Sequence, residues 1–195
     1  MSQDSYRHMP CVILAGGQSR RMNGQDKAKA VIGGVRLIDH IYKAVMPQAG
    51  RVFISGRHDY GLGAEVIADL AQGPKGPAAG LYACWDYFSA AAQELSHGFF
   101  TVPVDGPNIP VDLMQRLYSP NHSAVAADNR RTHPVYAWWR AADLTAFWQA
   151  NLHEENPSLR FAAKSCNAKP IVWEGADPFP NINTAEDLER YKRGR

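Results

Sequence analysis

Val12, Ile13 and Leu14 form an apolar run with no polar alternation, and it ends at Gly16-Gly17. A strand apolar on both sides has both faces covered, which is the situation of a strand inside a parallel sheet. Glycine tolerates positive φ and lets the backbone approach a ligand closely. The turn that follows can therefore converge several N–H groups on an anion, while Arg20, Arg21 and Lys27 add formal positive charge. The segment from Cys11 to Lys27, C-V-I-L-A-G-G-Q-S-R-R-M-N-G-Q-D-K, is thus a buried strand feeding a cradle suited to polyphosphate. A double glycine also turns a strand cheaply for no further purpose. Such a turn has no use for three cations and an Asp26-Lys27 pair at these offsets.

Beyond the cradle, Leu37, Ile38, Ile41, Tyr42, Val45 and Met46 recur at helical spacing until Pro47, predicting a helix over Val35 to Met46. Strands are expected at Arg51–Ser55, Glu65–Ala68 and Phe99–Val104, with a helix over Ala78–Leu95 between the last two. Further strands are expected at Ala124–Ala127, Val135–Trp139 and Lys169–Trp173, and helices at Leu144–Leu152 and Leu159–Ala163. Thr184-Ala185-Glu186-Asp187 has capping-box character and should open a C-terminal helix. Strands alternating with helices imply right-handed crossovers and a mostly parallel sheet covered on both faces: an α/β chain, a single-domain, Rossmann-like three-layer α/β/α sandwich. Ligands in such sheets sit at the carboxyl ends of strands. The endings to watch are Gly16-Gly17, Ser55-Gly56, Asp69 and Asp105-Gly106-Pro107, all expected on one edge.

A chain of 195 residues fits one domain; residues 1–9 read as a flexible lead-in and 10–195 as the domain itself. A composition of 45% hydrophobic and 21% charged residues is that of an ordinary globular protein, and a net charge of +2 is too small for general nucleic-acid binding. The basic end from Arg190 to Arg195 reads as a solvated helix end whose cations complement the macrodipole. Cys11, Cys84 and Cys166 lie far apart with no C-x-x-C spacing, which disfavours a disulfide framework or a zinc knuckle and makes a reducing cytoplasm the default. No stretch approaches about 18 consecutive apolar residues, and the first ten residues lack an apolar signal core, so neither a membrane span nor a signal peptide is expected.

The loop fits neither G-x-x-x-x-G-K-[ST] nor G-x-G-x-x-G, because no Gly-Lys-Ser/Thr is present and Gln18-Ser19-Arg20 follows the double glycine. Its pattern, L-A-G-G-x-S-x-R-M-x-x-x-D-K, resembles the signature of nucleotidyltransferases with a glycosyltransferase-A-like fold, and within them the molybdenum cofactor guanylyltransferases of the MobA type. The resemblance extends in order along the chain. G-P-A-A-G-L after Asp69 resembles the family's G-P-L-A-G-(L/M); V-D-G-P-N-I-P around Asp105 resembles C-D-x-P-x-(I/L)-P; His133-Pro134 matches an H-P element; and Asn181-Ile182-Asn183-Thr184 resembles N-(V/I)-N-T. Ser55 stands where relatives often carry asparagine near the base, Lys29 where an apolar residue is usual, and Asn23 where glycine is common.

The resemblance implies transfer of GMP from GTP to molybdenum-molybdopterin with release of pyrophosphate, in the presence of Mg²⁺. It implies nucleotide contacts by Leu14, Ala15, Gly16, Gly17, Lys27, Ser55, Asp69 and Asp105, with Arg21, Lys27 and Asp105 catalytic and Asp105 holding the metal. His133, Asn181 and Asn183 would face the acceptor, with a nucleotide-binding half at about 10–107 and an acceptor-binding half at about 108–195. Chemistry alone leaves alternatives: Asp105 also suits an Asx turn or a helix cap, Asn-x-Asn-Thr a turn and cap, and His133 polar surface. Trp138, Trp139, Trp148 and Trp173 read as core and interface rather than base-stacking platforms. Cytidylyl transfer to the same acceptor is the nearest rival. A sugar- or alditol-phosphate nucleotidyltransferase lacks its usual G-G-x-G-T-R opening here, and a silent cofactor-delivery subunit would not need Lys27 and Asp105. Molybdenum-insertion proteins and apo-molybdoenzymes or their chaperones are the implied protein partners, with no nucleic acid and no membrane.

Overall fold

The computed structural model describes residues 5–16, 26–90, 97–175, 177–182, 184, 186, 187, 189 and 191. In chain order its strands are β1 (Pro10–Leu14), β2 (Val31–Ile32), β3 (Val35–Arg36), β4 (Arg51–Ser55), β5 (Glu65–Ile67), β6 (Gly98–Pro103), β7 (Ala124–Ala127), β8 (Thr132–Arg140) and β9 (Lys169–Val172). Its α-helices are α1 (Leu37–Val45), α2 (Ala79–Ala90), α3 (Leu113–Leu117), α4 (Ala141–Asn151) and α5 (Leu159–Ser165). Seven strands make the central sheet in the order β5-β4-β1-β6-β8-β7-β9, and β2 pairs with β3 in a separate hairpin. Only β8 runs against the rest: it is antiparallel to both β6 and β7, whereas β1–β4, β1–β6, β4–β5 and β7–β9 are parallel pairs.

Period-2 alternation in the strands makes the three layers. Cys11 and Ile13 of β1, Val52 and Ile54 of β4, and Phe100 and Val102 of β6 join Ile38, Ile41 and Val45 of α1 and Met114 and Leu117 of α3 on one face. Val12 and Phe53 join Leu81, Cys84 and Phe88 of α2, Phe147 and Trp148 of α4 and Ala162 of α5 on the other. The three-layer α/β/α sandwich expected from the sequence is therefore present. Trp138, Trp139 and Trp148 are fully buried and Trp173 nearly so, as core residues. The three cysteines are free and buried; burial pushes all their thiols up, that of Cys166 to about 12, so none is a thiolate near neutrality.

Three expectations need correction. Residues 35 and 36 do not begin the first helix. Gly33 and Gly34 both take positive φ, 58° and 82°, as a two-residue type I′ hairpin turn requires, so Val35 and Arg36 return as β3 and α1 starts at Leu37. Residues 5–9 are not a loose lead-in: Ser5–His8 form a 3₁₀ turn, and Tyr6 and Met9 are buried. That turn is held by the Gly50 N–H donating to Met9 O at 3.0 Å, and a Cβ on Gly50 would come within 2.7 Å of His8 O. His133 is neither polar surface nor ahead of the strand expected to begin at Val135. It sits inside β8, which spans nine residues rather than the five expected. At the C-terminal end the capping box forms: the Asp187 N–H donates to Thr184 Oγ1 and the Thr184 N–H to Asp187 Oδ2, both at 3.0 Å. Among the described residues no helix is long and apolar enough to cross a membrane.

Candidate active site

The chain runs β1, β4, β5 outward to one side of β1 and then crosses to β6 on the other side. The strand order thus reverses between β1 and β6, and a crevice opens above the carboxyl ends of strands at such a switch point. Two loops meet over it. The 3₁₀ turn Lys27–Lys29 follows the cradle, and Asp105 follows β6. Lys27 Nζ donates to Asp105 Oδ2 at 2.9 Å, with the two side chains only 18% and 20% exposed. The cation and the carboxylate singled out separately in the sequence are therefore one ion pair, 78 residues apart in the chain. Asp26 caps the lysine's turn, its Oδ1 accepting from the Ala28 N–H at 3.0 Å, which fixes where the lysine stem emerges.

On the β4 side of the pair, the Ala15 N–H donates to Ser55 O at 2.9 Å and ties the ends of β1 and β4 together. A Cβ on Gly16 would lie 3.9 Å from both carboxylate oxygens of Asp69, and one on Gly80 3.8 Å from Asp69 Oδ1 and 3.6 Å from Leu14 Cδ2. Leu14, Ala15, Gly16, Ser55 and Asp69 thus converge with Gly80, near the start of α2, into one crevice wall. Asp69 stands two residues past β5, which ends at Ile67, and its carboxylate is exposed in the crevice. Ser55 is 1% exposed; its hydroxyl lies beside the Cys84 thiol and 2.7 Å from where a Gly80 Cβ would be. A side chain at Gly80 would meet that hydroxyl, so the glycine lets the start of α2 pack closely on the end of β4. The expected contacts of Gly17 and Arg21 lie outside the described residues, as does that of Asn183.

On the β8 side the Ile182 N–H donates to Asp105 O at 2.8 Å, clamping the N-I-N-T segment onto the strand-end aspartate. A cavity of about 180 Å³ opens there, lined by Asp105, Arg131, His133, Tyr136, Arg160 and Asn181 among others. His133 and Asn181, widely separated in sequence, therefore share a cavity with Asp105. The ring of His133 is nonetheless committed: its Nε2 meets Asp128 Oδ2 at 2.9 Å, and both residues are 8% exposed. Asp128 Oδ1 also accepts from the Arg130 and Arg131 N–H groups at 2.7 and 2.8 Å, closing the β7–β8 turn.

The His133 hydrogen bond, with those from the backbone, holds the Asp128 carboxyl well below the usual aspartate range. A carboxyl depressed on folding contributes stability above its unfolded value of about 3.9, and that contribution is lost as pH falls through the folded value. Asp128→Asn is accordingly expected to lower the melting temperature at neutral pH, with the difference from wild type shrinking as the buffer is taken into the acid range. Melts by circular dichroism at several pH values check it; a difference that does not change with pH would show that the carboxylate charge is not what holds the turn.

Arg131 and Arg160 carry no signal in the motifs, and sequence reasoning passed over both. Only the β7–β8 hairpin and the approach of α5 bring them to the cavity. Among the described residues no three His, Cys, Asp or Glu side chains gather as a ready-made metal cage. A hard cation such as Mg²⁺ does not need one, since it binds through one or two carboxylates plus substrate phosphates. Asp105 at the mouth of the crevice, with a second oxygen beyond the one that meets Lys27, fits that requirement.

The family description "MobA-like NTP transferase domain" matches residues 11–166. A curated relative from Acidiphilium cryptum, named molybdenum cofactor guanylyltransferase, is 35% identical over 201 aligned positions that cover all of both chains. Another of the same name from Rhodopseudomonas palustris is 33% identical, covering 94% of this chain and 92% of its own. Among solved structures, molybdopterin-guanine dinucleotide biosynthesis protein A from Archaeoglobus fulgidus superposes with a TM-score of 0.70 at 18% identity, over 95% of this chain and 97% of that one, and so supports the fold. With a strand-end ion pair at the switch point, a glycine-walled crevice beside it and full-length relatives of one name, the chain belongs to the MobA-like NTP transferase family.

Proposed function

We propose that this protein transfers GMP from GTP to the terminal phosphate of the molybdenum-molybdopterin cofactor, giving the guanine dinucleotide form and pyrophosphate. The observation that carries the reading is the Lys27–Asp105 pair, set between the Gly16–Asp69–Gly80 crevice on one side and the Asn181 cavity on the other. Two polyanions must be brought together, so catalysis comes from positioning and charge neutralisation rather than from a protein nucleophile. In the proposed mechanism an oxygen of the acceptor phosphate attacks the α-phosphorus in line, and the bond to the bridging oxygen of the pyrophosphate breaks. Gly16 and Gly17 offer backbone contact to the triphosphate, and Lys27 and Arg21 neutralise the charge that develops on the leaving pyrophosphate. A lysine ammonium has three donors, so its bond to Asp105 is compatible with contact to phosphate.

Asp105 would hold Mg²⁺, which when bound supplies charge neutralisation across the phosphates. Leu14, Ala15 and Asp69 hold the nucleoside end, with the buried Ser55 supporting the wall behind them. Asn181 and Asn183, with His133 oriented by Asp128, face the pterin. The chain then divides in function into a nucleotide half at about 10–107 and an acceptor half at about 108–195. Proteins that insert molybdenum, and apo-molybdoenzymes or their chaperones, are the protein partners this chemistry implies.

Competition between GTP and CTP in the presence of acceptor and Mg²⁺ tests the reading. A pocket built for guanine leaves donors and acceptors unpaired around a pyrimidine, at a cost of about 1 to 3 kcal/mol per group. One such group implies that GTP is preferred by about fivefold or more. Equal or better use of CTP would replace guanylyl with cytidylyl transfer, and absence of pyrophosphate release with either would remove the enzymatic reading.

A further inference from the structure

The register of β7 against β8 jumps from Val125↔Ala137 to Ala126↔His133, so Pro134, Val135 and Tyr136 bulge out of the ladder. A bulge re-aims side chains and tolerates a proline, whose missing N–H would otherwise cost a ladder bond. Here it turns Tyr136 toward the strand-end Asp105-Gly106. The ring packs against Phe179 with centroids 4.8 Å apart, and the residue is 2% exposed. Its hydroxyl is buried and finds no hydrogen-bond partner among the described residues. It also occupies space that a side chain on the neighbouring turn would need: a Cβ on Gly106 would fall 1.7 Å from the Tyr136 oxygen. A phenylalanine would supply the same ring without burying an unpaired hydroxyl, so packing alone gives no reason for tyrosine.

A cavity adjoins the residue, although its hydroxyl is covered in the free protein. Tyr136 lines it together with Asp105 and Asn181, and Arg131 and Arg160 border the same space, which suits an anionic occupant. A phenol with its ordinary pKa of about 10 keeps its proton at physiological pH, so the hydroxyl is a donor. We propose that the Tyr136 hydroxyl is a positioning donor of the acceptor subsite, hydrogen-bonding a phosphate oxygen of the pterin substrate beside Asp105. The inference rests on the acceptor assignment above and adds to it the residue that orients the phosphate. Gly106 is then glycine because the hydroxyl must reach that place.

The test is Tyr136→Phe in the full chain, read by anaerobic titration of pterin fluorescence with molybdopterin and, separately, with the dephosphorylated pterin. The variant is expected to bind molybdopterin about tenfold more weakly, the dephosphorylated pterin as wild type does, and GTP unchanged, while its melting temperature stays level or rises. Equal affinity of the two proteins for molybdopterin, or an equal loss with both pterins, overturns the inference. So does a lowered melting temperature, which would mean that the hydroxyl has a partner within the protein. Wild-type protein that fails to bind molybdopterin would overturn the acceptor assignment and this inference together, whereas binding by wild type with no effect of the substitution overturns the inference alone.

Discussion

Asp105→Ala is expected to lower turnover by at least about a hundredfold while leaving the protein folded, since removal of one charge-stabilising group from a preorganised site costs on the order of 10² to 10³ in rate. Two losses combine. The carboxylate that would hold Mg²⁺ disappears, and Lys27 loses the partner that fixes its Nζ 2.9 Å away. The stability cost is smaller. The pair is about four-fifths buried, so it stands between an exposed bridge, worth under about 1 kcal/mol, and a fully buried one, whose rupture costs about 3 to 5 kcal/mol. The substitution opens no core cavity, and the backbone bond from the Ile182 N–H to Asp105 O does not depend on the side chain. Pyrophosphate release in saturating Mg²⁺, measured beside a melting curve, checks the expectation. A folded variant with the wild-type rate would make Asp105 a structural partner of Lys27 and nothing more.

The parts of this site that lie on single strands are legible in the sequence. β4 and β7 have the expected bounds, and Asp105 falls just beyond β6 as its apolar run ending in Gly-Pro indicates. Strand ends read well because a fully buried parallel strand leaves a continuous apolar run and its turn leaves glycine and proline. What the residues do to one another across the fold does not read. The Lys27–Asp105 pair needs β1 and β6 to be neighbours, which follows from strand order and not from spacing. The commitment of His133 to Asp128 needs the β7–β8 turn, and the hairpin before α1 hides behind apolar residues whose helical spacing begins only at Leu37. Val35 belongs to that hairpin by virtue of two positive-φ glycines, a local rule that outweighs the helical pattern next to it. The bulge that aims Tyr136 is equally silent, because a proline within a strand run signals an irregularity without saying which side chain it redirects.

Lys27→Ala should weaken GTP binding and slow the chemical step together. A cation facing the departing pyrophosphate acts on the ground-state triphosphate, and acts more strongly once charge has moved onto the leaving group, so kcat/KM falls by more than KM rises. An expected loss on the order of 10² to 10³ in kcat/KM follows from the removal of one charged group aimed at developing charge. The same substitution strands Asp105 without its partner, and that penalty appears in the melting curve, which separates it from the kinetic effect. Lys27→Arg distinguishes charge from shape. The turn capped by Asp26 delivers a point charge to Asp105 from a flexible stem, and a planar five-donor guanidinium keeps the charge but not the fit. Arginine should therefore preserve most of the stability and restore only part of the activity. If Lys27→Ala changes the melting temperature and leaves both kcat and the KM for GTP untouched, the lysine is a strut for Asp105 and the triphosphate charge must be met by the cradle arginines instead.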